Sequence, residues 1–512
     1  MNYKSYRYIL LFLAVVTAAG AIMAQEADSV VGVMRRVERN AQETERLLTQ
    51  AWNNPAIMQL WLDYSISEVK VGYTSRNENN SIDIQRGDKD NALLFDARTY
   101  MKHRKSTLWG EAYYHNGRIK GINWNETSEP QVVQPYLLAD SVGGTMNVER
   151  YSFMGGWARY DGKLAVGASM GYTAGLYYRN VDPRPRNVTA NLDVQAGIGY
   201  NVWRGYVLAA SLNYKKYKQT NNVAFYSELG NDKIFHLLGF ANDYSRFAGT
   251  GIQTYYNGNR LGATLNFHPA TGEGFSASVE ASRFTFNNVI TQLNKLPLAH
   301  VGYNVIDAEM AWMSQDWGVR SFVEASRRVG TENIFGDPAG SVYTCIGKLD
   351  MSFQNTFCAS VDGVWQRTVA KNFTLALHPA IAYNHYNEIY VDPASSKQIN
   401  EMNYSVLAKG SAMIGRRSHL ALSVAVNHIS PTLSDLMMSE GDVKPELAGL
   451  QRAVATNFYY LSGKRTSMLA ALDVTVAINN KYALRGSAKW QHTHFVLSTH
   501  RDELDFSLGL TF

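Results

Sequence analysis

The sequence predicts an all-β protein, an antiparallel up-and-down transmembrane β-barrel of roughly 14–20 strands, an even number, behind a short N-terminal amphipathic helix. Three observations predict it. The chain ends in a strictly alternating strand, the same two-residue period runs through most of what precedes it, and the N-terminus carries an export leader. At residues 504–512, Leu504, Phe506, Leu508, Leu510 and Phe512 fall on one side of an extended strand. Asp505, Ser507, Gly509 and Thr511 fall on the other. Such alternation belongs to a strand with one apolar and one polar environment.

The leader occupies residues 1–24. Lys4 and Arg7 form a basic start, Tyr8 to Ile22 an apolar run, and Met23-Ala24 a small-residue exit. That layout is a secretory signal peptide, cleaved after Ala24; the run is too short to span a membrane as a helix. Of 49 Lys and Arg, two leave with the leader, so 47 basic residues face 44 acidic ones at a net +3. A near-neutral chain without a dense basic block is not a nucleic-acid binder. It is 46% hydrophobic and only 18% charged, against about 25% charged in an average soluble protein. Its apolar surface must therefore be hidden in a large core or in lipid. Cys345 and Cys358 either pair across a hairpin or stand as two small unpaired residues, and spacing leaves both readings open.

Residues 25–56 form a periplasmic helical extension. Val30, Val33, Met34, Val37, Ala41, Thr44, Leu47 and Leu48 recur at helical spacing, with Arg35, Arg36, Glu38, Arg39, Glu43 and Glu45 opposite. The segment ends at Asn53-Asn54-Pro55 and is expected to dock on the barrel mouth or partly enter it.

Residues 57–512 carry the barrel. In 191–202, Leu192, Val194, Ala196, Ile198, Tyr200 and Val202 alternate with Asn191, Asp193, Gln195, Gly197, Gly199 and Asn201; 206–215 and 418–428 behave alike. The apolar face suits lipid and the small polar face a packed or watery lumen. Turn signals at 160–163, 203–205, 257–260, 316–318 and 462–465 join neighbouring strands as hairpins. Alternation breaks at 128–145, 220–248, 331–341 and 430–449, the expected long loops, and strand parity fails around 430–466. The 31 Tyr, 20 Phe and 10 Trp fit aromatic belts at the two bilayer interfaces.

Chemistry-bearing motifs are sparse. His492 and His494 share a strand face and His500 follows a short turn, a pattern open to a metal but read more plainly as surface histidines. His419 and Asn427 lie about 26 Å apart along a strand, too far for a catalytic dyad. No nucleophile elbow, HExxH or phosphate loop stands out, so no enzyme, catalytic residue, metal or cofactor is expected. Parity instead places Asp193, Lys215, Asp473, Arg485 and Lys489 on the lumen side, where charges set the selectivity of a pore or pair inside a closed one.

Ala51-Trp52-Asn53-Asn54-Pro55-Ala56 resembles the start of several outer-membrane families, including fatty-acid-transporter-like barrels. A terminal strand ending on Phe512 resembles the closing strand and assembly signal of Gram-negative outer-membrane barrels. From leader to Phe512 the chain is most similar to an uncharacterised, domain-of-unknown-function family of such barrels. The resemblance implies an outer-membrane location, contact with outer-membrane lipid, and recognition of the C-terminal strand by the barrel-assembly machinery. The short segment before the first strand excludes the long plug of an energy-coupled receptor. The function expected is a passive pore or transporter for a small polar solute. The alternative is a closed binding or assembly barrel that engages a protein through its long loops or N-terminal helix.

Overall fold

The period-2 segments become the wall of a closed barrel of 18 antiparallel strands in the computed structural model. It describes residues 31–40, 51–227, 233–249, 253–340, 342–370, 372–439 and 444–512. The leader and all but residues 31–40 of the helical pattern at 29–50 lie outside the described residues.

In chain order the wall strands are β1 (Ile66–Glu78), β2 (Lys89–Lys102), β3 (Ser106–Ile122), β4 (Gly144–Tyr160), β5 (Leu164–Tyr178) and β6 (Arg184–Trp203). There follow β7 (Tyr206–Asn221), β8 (Thr254–Pro269), β9 (Gly274–Ile290), β10 (Leu296–Met313), β11 (Trp317–Phe335) and β12 (Cys345–Ala370). The last six are β13 (Phe373–Tyr390), β14 (Ser395–Ile414), β15 (Ser418–Met437), β16 (Arg465–Ala477), β17 (Ala483–His494) and β18 (His500–Thr511). Each pairs with its neighbour in sequence, and β18 closes the ring on β1, from Glu68↔Thr511 to Glu78↔Arg501. The C-terminal strand is thus the seam: Leu510 sits beside Val69 and Phe506 beside Tyr73.

Alternation sorts the two faces of the wall. Leu212, Leu261 and Leu508 are 71%, 66% and 64% exposed on the outer face, the face lipid covers. Exposed Trp157, Trp203, Trp312, Trp317 and Trp365 ring one end of this apolar band, and exposed Tyr73, Tyr151, Tyr172, Tyr214 and Tyr404 the other. These are the two aromatic belts of a membrane barrel. Tight turns such as Arg204-Gly205 join strands at the Trp end. The connections 79–88, 123–143, 222–253 and 438–464 lie at the Tyr end. Short turns are periplasmic and long loops extracellular in barrels of this kind, and the closing strand returns Phe512 to the tight-turn side.

Three local expectations change. Residues 257–260 are not a turn but the middle of β8; Gly258 is needed there because a Cβ would lie 2.8 Å from the Phe284 ring. The parity failure at 430–466 has a helical cause. β15 continues to Met437, and a helix then spans Ala448–Leu461, its Leu450 and Val454 packed on the interior core. Likewise β11 extends to Phe335 through the expected loop at 331–341. That helix is α2; α1 is Val31–Asn40, whose Val33, Met34 and Val37 pack on Ala477, Ala483 and Met413 at the periplasmic rim. Cys345 and Cys358 are free thiols.

Candidate functional site in the barrel lumen

The periplasmic mouth contains a short latch built from the chain that precedes β1. Asn54 caps a 3-10 helix at Pro55–Leu60, its side chain accepting from the Ala56 amide at 2.9 Å. Proline suits the first helical position, since the amide it lacks would be unpaired there anyway. Ala56, Ile57 and Met58 are buried against Ala165, Val207, Ala209, Ala158 and Tyr100 of the wall. Two wall glycines give the latch its seat. A Cβ on Gly167 would lie 2.2 Å from the Pro55 carbonyl oxygen, and one on Gly197 2.3 Å from Asn54 Oδ1.

Hydrogen bonds tie the latch across the mouth. Asn54 Nδ2 donates to Asn266 Oδ1 at 2.8 Å, and Asn266 Nδ2 donates onward to Ser278 Oγ at 2.8 Å. Tyr100 OH donates to the Met58 carbonyl at 2.7 Å, and Lys102 and Thr107 both donate to Gln59. Trp52 meets the edge of His268 at a ring distance of 4.8 Å. The segment immediately before carries α1, whose Val33 amide donates to the Asn480 carbonyl at 3.0 Å.

Above the latch the lumen wall is charged and largely paired. Arg485 bridges Glu68 at 3.1 Å and Asp473 at 2.9 Å. Lys489 faces Asp505 at 3.5 Å. Asp193 accepts from Asn213 Nδ2 at 2.8 Å and stands in register with Lys215. The sequence-derived lumen residues therefore form two groups: Asp473, Arg485 and Lys489 on β16 and β17, and Asp193 with Lys215 on β6 and β7. Sequence reading missed the wall between them, where Arg260 pairs with Glu280 at 2.9 Å and Arg320 with Glu309 at 3.2 Å. Parity alone would have found these. Their partners are set by register, which needs the fold.

At the extracellular mouth the long loops turn inward. Loop 123–143, loop 222–253 and α2 bury Trp124, Val133, Tyr136, Leu137, Phe235, Leu237 and Leu450 against the wall residues Tyr256, Phe286, Leu298 and Val301. Their polar centre is Arg179, which donates to both Glu126 and Asp140, the latter at 2.8 Å; its side chain is 2% exposed and both carboxylates fully buried. Burial alone pushes the imidazole of His236, in the same loop core, down to about 4.

A cavity of about 460 Å³ opens beside this core, with Phe240, Asp243, Glu332, Met351, Tyr390 and Lys444 among its walls. Tyr390 OH donates to Glu332 at 3.0 Å, and Lys444 pairs with Asp243. Phe240 and Ala241, at the tip of the inward hairpin, hold φ of +48° and +63°. Side chains other than Gly rarely adopt that region, and such residues persist where the surroundings fix them.

The histidines at 492 and 500 lie on the outer face with Asp502, His492 Nδ1 at 2.8 Å from its carboxylate; among the described residues no His, Cys, Asp and Glu group is arranged to hold a metal. His419 and Asn427 stay apart on β15, facing Thr475 and Ser467 respectively.

Among solved structures the chain is similar to the ferric preacinetobactin receptor BauA of Acinetobacter baumannii, at 9% identity and a TM-score of 0.39, over 88% of this chain and 80% of that one. It is also similar to the toluene transporter TodX of Pseudomonas putida, at 8% identity and a TM-score of 0.32, over 92% and 93%. No curated protein matches it in sequence. The family of unknown function DUF6850 matches residues 55–512, from the first residue of the latch helix to the last of the chain, and the protein belongs to that family.

Proposed function

We propose that this protein is a gated outer-membrane passage for a small polar solute, delivered to the membrane by the leader at residues 1–24. The observation that carries this reading is the latch, a short segment seated on Gly167 and Gly197 and held mainly by single hydrogen bonds. A solute entering from the loop side would first occupy the cavity beside Phe240, Glu332 and Tyr390, whose volume lies within the ligand-pocket range of about 300–1,000 Å³. The paired charges of the middle lumen, Asp193, Lys215, Asp473, Arg485 and Lys489 among them, would then act as a polar lining rather than as a charge filter. The exposed apolar positions of β18 that end on Phe512 would serve the barrel-assembly machinery.

The second reading is a closed barrel that binds a protein partner. The placement of α1 on the periplasmic rim and of α2 in the extracellular loops favours it, since α1 exposes Arg35, Glu38 and Arg39 and α2 exposes Arg452, Thr456 and Tyr459. Liposome swelling separates the two. A gated passage admits small neutral and charged solutes once residues 51–62 are removed, while a binding barrel stays impermeable with or without them.

A further inference from the structure

The lipid-facing wall is not uniform in charge. On the extracellular side of the apolar band, the outward positions of β6, β7, β9, β10 and β11 carry Arg186, Lys216, Lys218, Arg283, His300 and Arg327. All are exposed except the half-buried Lys216. Among the described residues, no outward strand position in this patch, from Arg186 to Thr331, is Asp or Glu. Among the described residues, none of the five Lys and Arg forms an ion pair.

Register arranges these cations in rows with amides between them. Arg283 lies beside Asn304, and Asn304 beside Arg327 and, one strand further, Asn355 beyond it. In the next row Lys218 lies beside Asn257, Asn257 beside Asn287, and Asn287 beside His300. Lys216 Nζ donates to Asn259 Oδ1 at 3.1 Å and His300 Nδ1 bonds Asn287 Oδ1 at 2.8 Å. Neighbouring strands stand about 4.8 Å apart, so Arg283 and Arg327 flank a gap of roughly two strand spacings floored by an amide. Directly below are Leu212, Leu261 and Ile306, exposed to the acyl region. A band that is apolar below and uncompensated positive above matches one partner chemistry, an acyl chain joined to a phosphate.

We propose that this face of the barrel binds the phosphate of an outer-leaflet lipid, with Arg283, Arg327, Lys216 and Lys218 as the phosphate contacts. Guanidinium pairs hold phosphate oxygens bidentately, and the amide rows supply neutral donors beside them. The opposite wall differs. The outward extracellular ends of β15 to β18 carry His428, Thr466, His492 and Asp502, a set without a Lys or Arg.

The test is native mass spectrometry of the full chain in detergent after titration with lipid A. Three probes are compared: phosphorylated lipid A, the same lipid with its phosphates removed, and inorganic phosphate. The unmodified protein retains phosphorylated lipid A, and Lys216→Gln/Arg283→Gln/Arg327→Gln loses affinity on the order of a hundredfold, as three surface cations should. Arg159→Gln/Arg367→Gln, two outward cations at the periplasmic end, leaves retention unchanged. Heat-modified gel mobility reports that each variant is a folded barrel. Equal retention by the triple variant, or equal retention of the dephosphorylated lipid, overturns the proposal. Binding of inorganic phosphate as tightly as the lipid would assign the patch to free phosphate and overturn it too.

Discussion

The two mouths of this barrel are narrowed by opposite strategies. At the periplasmic end a short continuous segment sits on glycines and single hydrogen bonds, with Ile57 and Met58 as its main apolar anchors. At the extracellular end loop 123–143, loop 222–253 and α2 together build a core of aromatics around a buried ion triad. Burying one Leu- or Met-sized side chain contributes about 1.5–3 kcal/mol, whereas ordering one residue's backbone costs about 1–2 kcal/mol. A segment with few anchors therefore stays close to balance, while a core with many does not. On the gated-passage proposal, the latch is the part that moves and the loop core the part that keeps a fixed shape.

The largest effect should come from the ion triad. Arg179→Met leaves Glu126 and Asp140 buried without a cation, at a cost of about 3–5 kcal/mol. Limited proteolysis of loops 123–143 and 222–253 should then proceed in protein whose barrel still shows heat-modified mobility. Adding Glu126→Gln and Asp140→Asn should restore most of the protection. Intact loops in Arg179→Met would erase the contrast between the two ends.

Acid should act on the same end. The packed His236 imidazole titrates at about 4 and the opened one near 6.5. Above pH 6.5 both states are neutral and the loop core keeps its full stability. As pH falls toward 4 the opened state takes up a proton that the packed state refuses, so closure weakens by about 1.4 kcal/mol per pH unit. Hydrogen exchange at residues 235–239 should accelerate across that window, and His236→Phe should flatten the dependence.

Asn54→Ala removes the cap and the link to Asn266, a loss of about 1–2 kcal/mol. Exchange at residues 55–60 should rise while the loops remain unchanged. The smallest effect is expected at Arg485→Gln, where the side chains of Glu68 and Asp473 keep 18% and 28% of their surface exposed, unlike the fully buried Glu126 and Asp140. Melting should shift little, and ion selectivity should change only in protein whose latch has been released.

The outer wall was legible in the sequence because each strand reports its own lipid face: Leu192, Val194 and Ile198, like Leu504 to Phe512, need only period 2 to be placed. Even strand number and closure by the last strand follow from the same pattern. Parity assigns the lumen charges a face for the same reason, but it does not assign their partners. Glu68 meets Arg485 across the barrel seam, and Arg179 meets Glu126 and Asp140 from a different loop. Such pairs depend on register and on loop paths that local alternation does not encode. The latch lay between these cases. Asn54-Pro55-Ala56 announces a helix start, yet nothing local reveals that it points into the barrel, because its seat, Gly167 and Gly197, lies more than a hundred residues away.

Single-channel recording of the full chain beside Gly167→Val is the most direct test of a lumen gated by its N-terminal latch. The valine side chain would occupy the place of the Pro55 carbonyl, which, as backbone, cannot give way locally, so the latch must leave while the wall persists. The expected result is a nearly silent parent and a variant with stable ohmic steps. Equal conductance in both, whether open or silent, would contradict the latch as the gate.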